Sequence, residues 1–108
     1  MINFDRMPCI YWSDITKAGY LQRYIIIHSI IYYELNESVI SDKQFDSVAR
    51  QLVKMQKRMK HELKDTMYYY CMYDFDGSTG FDLYNRLIPF DKKYLMQIAR
   101  NVLRNAKG

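Results

Sequence analysis

Apolar positions recur at helical spacing in three stretches of the chain. The first joins Ile15, Ala18, Leu21, Tyr24/Ile25, His28 and Ile31/Tyr32, the i, i+3, i+4, i+7 pattern of one helix face. Ser13 reads as its N-cap and Asp14 as a first-turn acid, so the spacing predicts a helix over 14–35. Its middle, Tyr24-Ile25-Ile26-Ile27, is rich in β-branched residues, but its length and flanking period favour helix over strand. Apolar content nearly all round implies burial between other elements. The second stretch runs through Phe45, Val48, Ala49, Leu52, Met55 or Gln56, Met59 and Leu63. Ser41 followed by Gln44 is a capping box, with Val39 or Ile40 placed to staple onto Phe45. This helix is expected from about 42 to at least 64, and on to about 70.

The third stretch, Tyr94, Leu95, Ile98, Ala99, Val102 and Leu103, predicts a last helix over about 92–104, capped by Asp91. Between the second and third stretches the pattern is weaker. Tyr68-Tyr69-Tyr70 raises strand propensity, yet no second strand is there to pair with, so 66–72 is read as helix. Asp76-Gly77 and Gly80 mark a turn in which Asp76 or Ser78 caps the backbone. Residues 81–88 read as a short helical turn ended by Pro89. The expected fold is all-α and one domain over 1–108: a long helical hairpin (about 14–35 and 42–70) with a third, C-terminal helix packed across it. Residues 1–12, with Pro8, Cys9, Tyr11 and Trp12, read as an irregular leader.

Composition adds little until the tyrosines and the charges are considered. The chain has 108 residues, 49% apolar and 26% charged, an ordinary globular balance with room for one modest core. Eleven tyrosines are unusual; rings with polar tips suit interfaces and the wet edges of a small core. The net charge is +4, and the cations cluster. Arg50, Lys54, Lys57, Arg58, Lys60 and Lys64 form one group; Arg86, Lys92, Lys93, Arg100, Arg104 and Lys107 form another. Such asymmetry fits an anionic partner such as nucleic acid, or the solvated faces of two helices. The longest apolar run is too short to span a bilayer and no signal-peptide pattern opens the chain, so a cytoplasmic protein without a membrane partner is expected.

Catalytic chemistry finds few residues to work with. Cys9 and Cys71 have no metal or disulfide spacing and read as buried thiols. His28 reads as a hydrogen-bonded core residue and His61 as part of a solvated face; neither has a ligand at metal spacing. Asp74-Phe75-Asp76-Gly77-Ser78 echoes the nucleophile loop of haloacid-dehalogenase-like phosphatases, but their parallel sheet does not fit in this chain. It also echoes a calcium loop, but glycine stands at the fourth place rather than the sixth and no Glu closes it. A turn is the better reading. No Lys-x-Asp-Gly nucleotidyl-transfer motif is present.

One segment points further. Tyr32-Tyr33 ends the first predicted helix, and Ile40-Ser41-Asp42-Lys43-Gln44-Phe45-Asp46 opens the second. This arrangement resembles the N-terminal helical domain (Ia) of NAD-dependent DNA ligases over about residues 21–56. In that family a helix ending in Tyr-His leads into an Ile-x-Asp-x-x-Tyr-Asp box. The likeness implies that Tyr32, Tyr33, Asp42, Phe45 and Asp46 form a nucleotide-binding site for the nicotinamide mononucleotide (NMN) half of NAD. Tyr33 stands where the family has His, and Phe45 where it has Tyr.

The expectation is therefore a non-catalytic binding module with no resident metal or cofactor, taking NMN, NAD or a partner protein, for example a nucleic-acid enzyme. Two alternatives stand beside it. One is a phage-encoded inhibitor of a host nucleic-acid or defence enzyme, of anti-CRISPR type, acting in the host cytoplasm. The other is a basic accessory protein that meets nucleic acid through Arg50, Lys54, Lys57, Arg58, Lys60 and Lys64.

Overall fold

Every regular element in the computed structural model, which describes residues 2–6 and 12–108, is helical. Helix α1 spans Asp14–Ser29 and runs on as one wide π turn over Ile30–Glu34. Helix α2 spans Asp42–Met59, α3 Tyr69–Met72, α4 Leu83–Arg86 and α5 Pro89–Lys107. Two 3₁₀ segments, Phe4–Arg6 and Lys60–Asp65, complete the set. Helices α1 and α2 form the expected hairpin, and α5 packs on α1 and on the π turn. No strand occurs among the described residues.

The caps set where the helices begin. Ser13 is extended and its hydroxyl accepts from the Thr16 amide at 3.1 Å. At α2 the full capping box forms: Gln44 N–H donates to Ser41 Oγ (3.1 Å), and Ser41 N–H donates to Gln44 Oε1 (2.8 Å). Burial sets where the helices lie. Leu21, Ile25, Ile26 and Ile30 are wholly enclosed, each contributing about 1.5–3 kcal/mol against about 1 kcal/mol for a cap. As its all-round apolar content implies, α1 is the central helix, covered by α2, α4 and α5. Helix α2 buries Val48, Ala49, Leu52, Met55, Gln56 and Met59, so both Met55 and Gln56 belong to the stripe.

Three boundaries differ from the sequence expectation. The second arm stops at Met59 rather than near 70, because Lys60 takes a positive φ of 40° and turns the chain back. The return delivers Thr66, Tyr68, Cys71 and Met72 to the core, which a straight helix would have carried past it. Consequently the helix expected over 66–72 shrinks to the single turn of α3. The last helix starts three residues early, with Pro89 in its first turn after an extended Ile88, the position where a missing N–H costs nothing. Asp91 lies within that first turn and accepts a hydrogen bond from the Tyr70 hydroxyl at 2.5 Å. In the leader, Ile2 exchanges two hydrogen bonds with the Gln51 side chain (2.9 and 3.0 Å), and Phe4 and Trp12 pack with Tyr20. Pro8, Cys9 and Tyr11 lie outside the described residues.

A buried polar network, which periodicity alone does not show, ties these pieces together. Gln22 is fully enclosed. Its Nε2 donates to Gln56 Oε1 and to Thr66 Oγ1, both at 3.0 Å. Its Oε1 accepts from the Tyr68 amide at 3.4 Å. Gln56 Nε2 in turn donates to the Met72 carbonyl at 3.3 Å. One amide pair thus links α1, α2 and the returning segment. Replacing Gln22 by Leu leaves Gln56, Thr66 and the Tyr68 amide short of partners, which costs about 1–3 kcal/mol for each group left unsatisfied. Denaturant titration of Gln22→Leu is expected to show a loss of about 3 kcal/mol; a loss under about 1 kcal/mol would show that the network is dispensable.

Candidate functional site

The largest concentration of polar and aromatic groups around one cavity lies where the hairpin turns. The cavity has a volume of about 310 Å³ and is walled by the π turn, the link and the start of α2, with Ser78 and Thr79 on the far side. All five residues of the expected nucleotide site border it: Tyr32, Tyr33, Asp42, Phe45 and Asp46. Ile40 and Val39 border it as well.

Each wall has a local cause. The π turn closes with the Leu35 amide on the Ile30 carbonyl at 3.1 Å, five residues back. That wider turn shifts the side chains after it relative to an α-helix, and such turns recur at functional sites. Asn36 then adopts φ 54°, a left-handed conformation that Asn tolerates, and the Glu37 amide folds onto the Ile31 carbonyl at 3.0 Å. The capping box holds the other wall, setting Asp42 and Asp46 one turn apart on α2. The far wall is a tight turn in which Asp76 Oδ1 accepts from both the amide and the hydroxyl of Ser78, as the Asp-Gly-Ser pattern predicts. Gly77 there has φ 88°.

Gly80 clamps this turn onto α1. A Cβ at that position would lie 1.9 Å from Ser29 Oγ and 2.7 Å from Ser29 Cβ, so only glycine permits the approach. The clamp delivers Thr79 to Tyr33, whose hydroxyl shares a 2.8 Å hydrogen bond with Thr79 Oγ1. Phe81 meets the Tyr33 ring edge-on at 5.5 Å, and Tyr32 does so from the other side at 4.9 Å. Tyr33 is thereby a fixed wall, while Tyr32 is more open to solvent.

The charges are one-sided. Asp42 and Asp46 are exposed, and neither has an ion-pair partner among the described residues; in particular, Asp46 does not pair with Arg50. His28 also borders the cavity. Expected as a satisfied core residue, it instead has a buried Nδ1 without a hydrogen-bond partner among the described residues. Burial lowers its pKa from the usual histidine value, so the ring is neutral near pH 7. The cavity is therefore lined by two carboxylates and by aromatic rings, with the neutral His28 ring in its wall. Sequence reasoning missed His28 as a site residue. The available signal was its position one turn before Tyr32, on the same helix face.

The remaining sequence candidates lie away from this cavity. Arg50, Lys54 and Lys57 border a second, shallower cavity with Asp76 and Gly77. Arg58 pairs with Asp14 at 3.3 Å. Lys60 occupies the reversal after α2, and Lys64 sits on the 3₁₀ segment. Arg50, Lys54 and Lys57 thus gather on one side of α2, and Lys60 and Lys64 follow beyond its end. In the Asp-rich turn Arg86 bridges Asp74 (2.6 Å) and Asp82 (3.1 Å), and its guanidinium holds the Asp74 carboxyl below its usual pKa. Cys71 is buried, its thiol pushed up to about 12 by desolvation, which makes it inert as a nucleophile.

Two outcomes are expected. Gly80→Ala forces the turn off Ser29 and lowers stability by about 2 kcal/mol, read as a drop in thermal midpoint; an unchanged midpoint would contradict the clamp. The second concerns pH. Because the folded His28 has a pKa below its unfolded value, its contribution to stability is complete above about pH 6.5 and declines as pH falls below that. His28→Leu is expected to flatten this part of the stability profile, and parallel profiles for the two proteins would argue against a buried neutral imidazole.

No known family model, curated protein or solved structure matches the chain.

Proposed function

We propose that the chain is a non-catalytic binding module whose hairpin cavity takes a nicotinamide mononucleotide. The observation that supports this reading is the convergence of Tyr32, Tyr33, Asp42, Phe45 and Asp46 on one cavity. The groups match the ligand part by part. A pyridinium ring is flat and positively charged, and it suits a site offering aromatic faces and unpaired carboxylates. The carboxamide carries both a donor and an acceptor, which the hydroxyls of Tyr32, Ser38 and Ser78 on the cavity wall can meet. The ribose hydroxyls suit Asp42 or Asp46, and the phosphate suits the amides of Asp42 and Lys43, which the capping box leaves open. The volume of about 310 Å³ stands at the small end of ligand sites, about 300–1,000 Å³. It favours the mononucleotide over the whole dinucleotide.

The differences from the ligase pattern fit this assignment. Phe45 keeps the ring and loses a hydroxyl. Tyr33 has its hydroxyl engaged by Thr79, and the imidazole that the family places there is supplied by His28 from one turn earlier. The role is binding rather than catalysis, because no nucleotidyl-transfer motif accompanies the pocket.

Thermal melts and calorimetric titration with NMN, NAD, nicotinamide riboside and AMP test the proposal. NMN at ten times its Kd adds about 1.4 kcal/mol of stability and raises the midpoint by roughly 5 °C in a chain of this size. AMP, which lacks the pyridinium, is expected to give no shift. Asp46→Asn is expected to weaken NMN by about tenfold, or about 1.4 kcal/mol. No response at millimolar NMN would overturn the reading.

A further inference from the structure

Helix α5 carries a second surface, remote in sequence from the hairpin. Its inner side is set by Leu95 and Ala99, both wholly buried, with Ile98, Val102 and Leu103 packed against the core. At about 100° per residue, the opposite side gathers Lys93, Arg100 and Arg104 beside Phe90 and Tyr94, with amide side chains between them. These residues are exposed. Phe90 is 73% accessible and Tyr94 46%. The rings lie nearly parallel, 15° apart with centroids at 6.2 Å. Arg23 of α1 extends the face by placing its guanidinium 5.7 Å from the Tyr94 ring centre.

Charge singles this face out. The only acid of α5 is Asp91; it lies off this arc and its carboxylate is held by the Tyr70 hydroxyl. None of Arg23, Lys93, Arg100 and Arg104 has an ion-pair partner among the described residues. The cations of α2 have an acid close by or a partner: Arg50, Lys54 and Lys57, themselves without ion pairs among the described residues, share their cavity with Asp76, and Arg58 is paired. The α5 face thus combines an uncompensated row of positive charge with exposed ring faces. A polyanion that also displays aromatic surfaces answers both features. Duplexes hide their base faces in the stack, whereas single strands expose them.

We infer that α5 is a docking face for single-stranded nucleic acid. Lys93, Arg100 and Arg104 follow the phosphates, Phe90 and Tyr94 stack on bases, and Arg23 closes the edge of the platform. This surface stands independently of the hairpin cavity.

Fluorescence anisotropy with a labelled oligothymidylate of about 20 nucleotides, and a duplex of equal length, tests it on the full chain. The single strand is expected to bind more tightly than the duplex. Three or four phosphate contacts give a slope of log affinity against log salt of about −2 to −3. Phe90→Ala and Tyr94→Ala are each expected to weaken single-strand binding by about tenfold, within the range for loss of one stacked base. The double variant Arg100→Glu/Arg104→Glu is expected to abolish binding while its melting curve stays near wild type, since both side chains lie outside the core. Lys54→Glu/Lys57→Glu is expected to change little. Absence of binding at low salt would overturn the inference. So would equal affinity for duplex with no dependence on Phe90 and Tyr94, or loss of binding through Lys54 and Lys57 instead.

Discussion

The hydrogen bond between Gln22 and Gln56 decides the shape of this molecule. An amide enclosed at the centre of a helical domain is costly unless every polar atom is met. Meeting both side chains draws in Thr66, the Tyr68 amide and the Met72 carbonyl. Those groups can reach the centre only if α2 stops and the chain turns back. The positive φ at Lys60 makes that return, which also buries Tyr68, Cys71 and Met72. A purely apolar pair at these positions would have tolerated a longer, straighter second arm.

The hairpin cavity depends on a similar exchange of regularity for position. Four devices converge on it: the π turn at Ile30–Glu34, the left-handed Asn36, the capping box at Ser41, and the contact of Gly80 with Ser29. Each is local, yet together they bring residues from three separate segments within reach of one small molecule. The Glu37–Lys107 ion pair ties the link to the end of α5. Exposed pairs of this kind contribute little stability, but this one joins the rim of the cavity to the helix that carries the basic face.

Much of the fold was legible in the sequence because its strongest signals are periodic. The stripes of α1 and α2, the Ser13 cap and the Ser41–Gln44 box all read directly as structure. The end of α2 was not legible, because Met59 and Leu63 continue the apolar period while the chain itself turns away. A tertiary hydrogen-bond demand overrode local pattern there. The start of α5 was misjudged because Asp91 is a good capping type, yet Pro89 is better suited to the first turn and the Asp91 carboxylate serves Tyr70 instead. As for the cavity, its walls at Tyr32, Tyr33, Asp42, Phe45 and Asp46 could be named through the resemblance to the ligase domain, whose box they follow. His28, Ser78 and Thr79 could not, since nothing in linear order places the 76–80 turn beside α1.

The Gly80–Ser29 contact constrains how this sequence can diverge. With a hydroxymethyl group at position 29, no side chain fits at 80, and even alanine at 29 would keep its Cβ too close. Substitution at 80 therefore requires glycine at 29, inside a helix, where it costs about 0.5–1 kcal/mol relative to alanine. The two positions can exchange glycine only in one order, glycine entering at 29 before it leaves 80. A distant homologue of this chain would carry that covarying pair as a signature of the fold, even where its aromatic and charged positions have drifted beyond alignment.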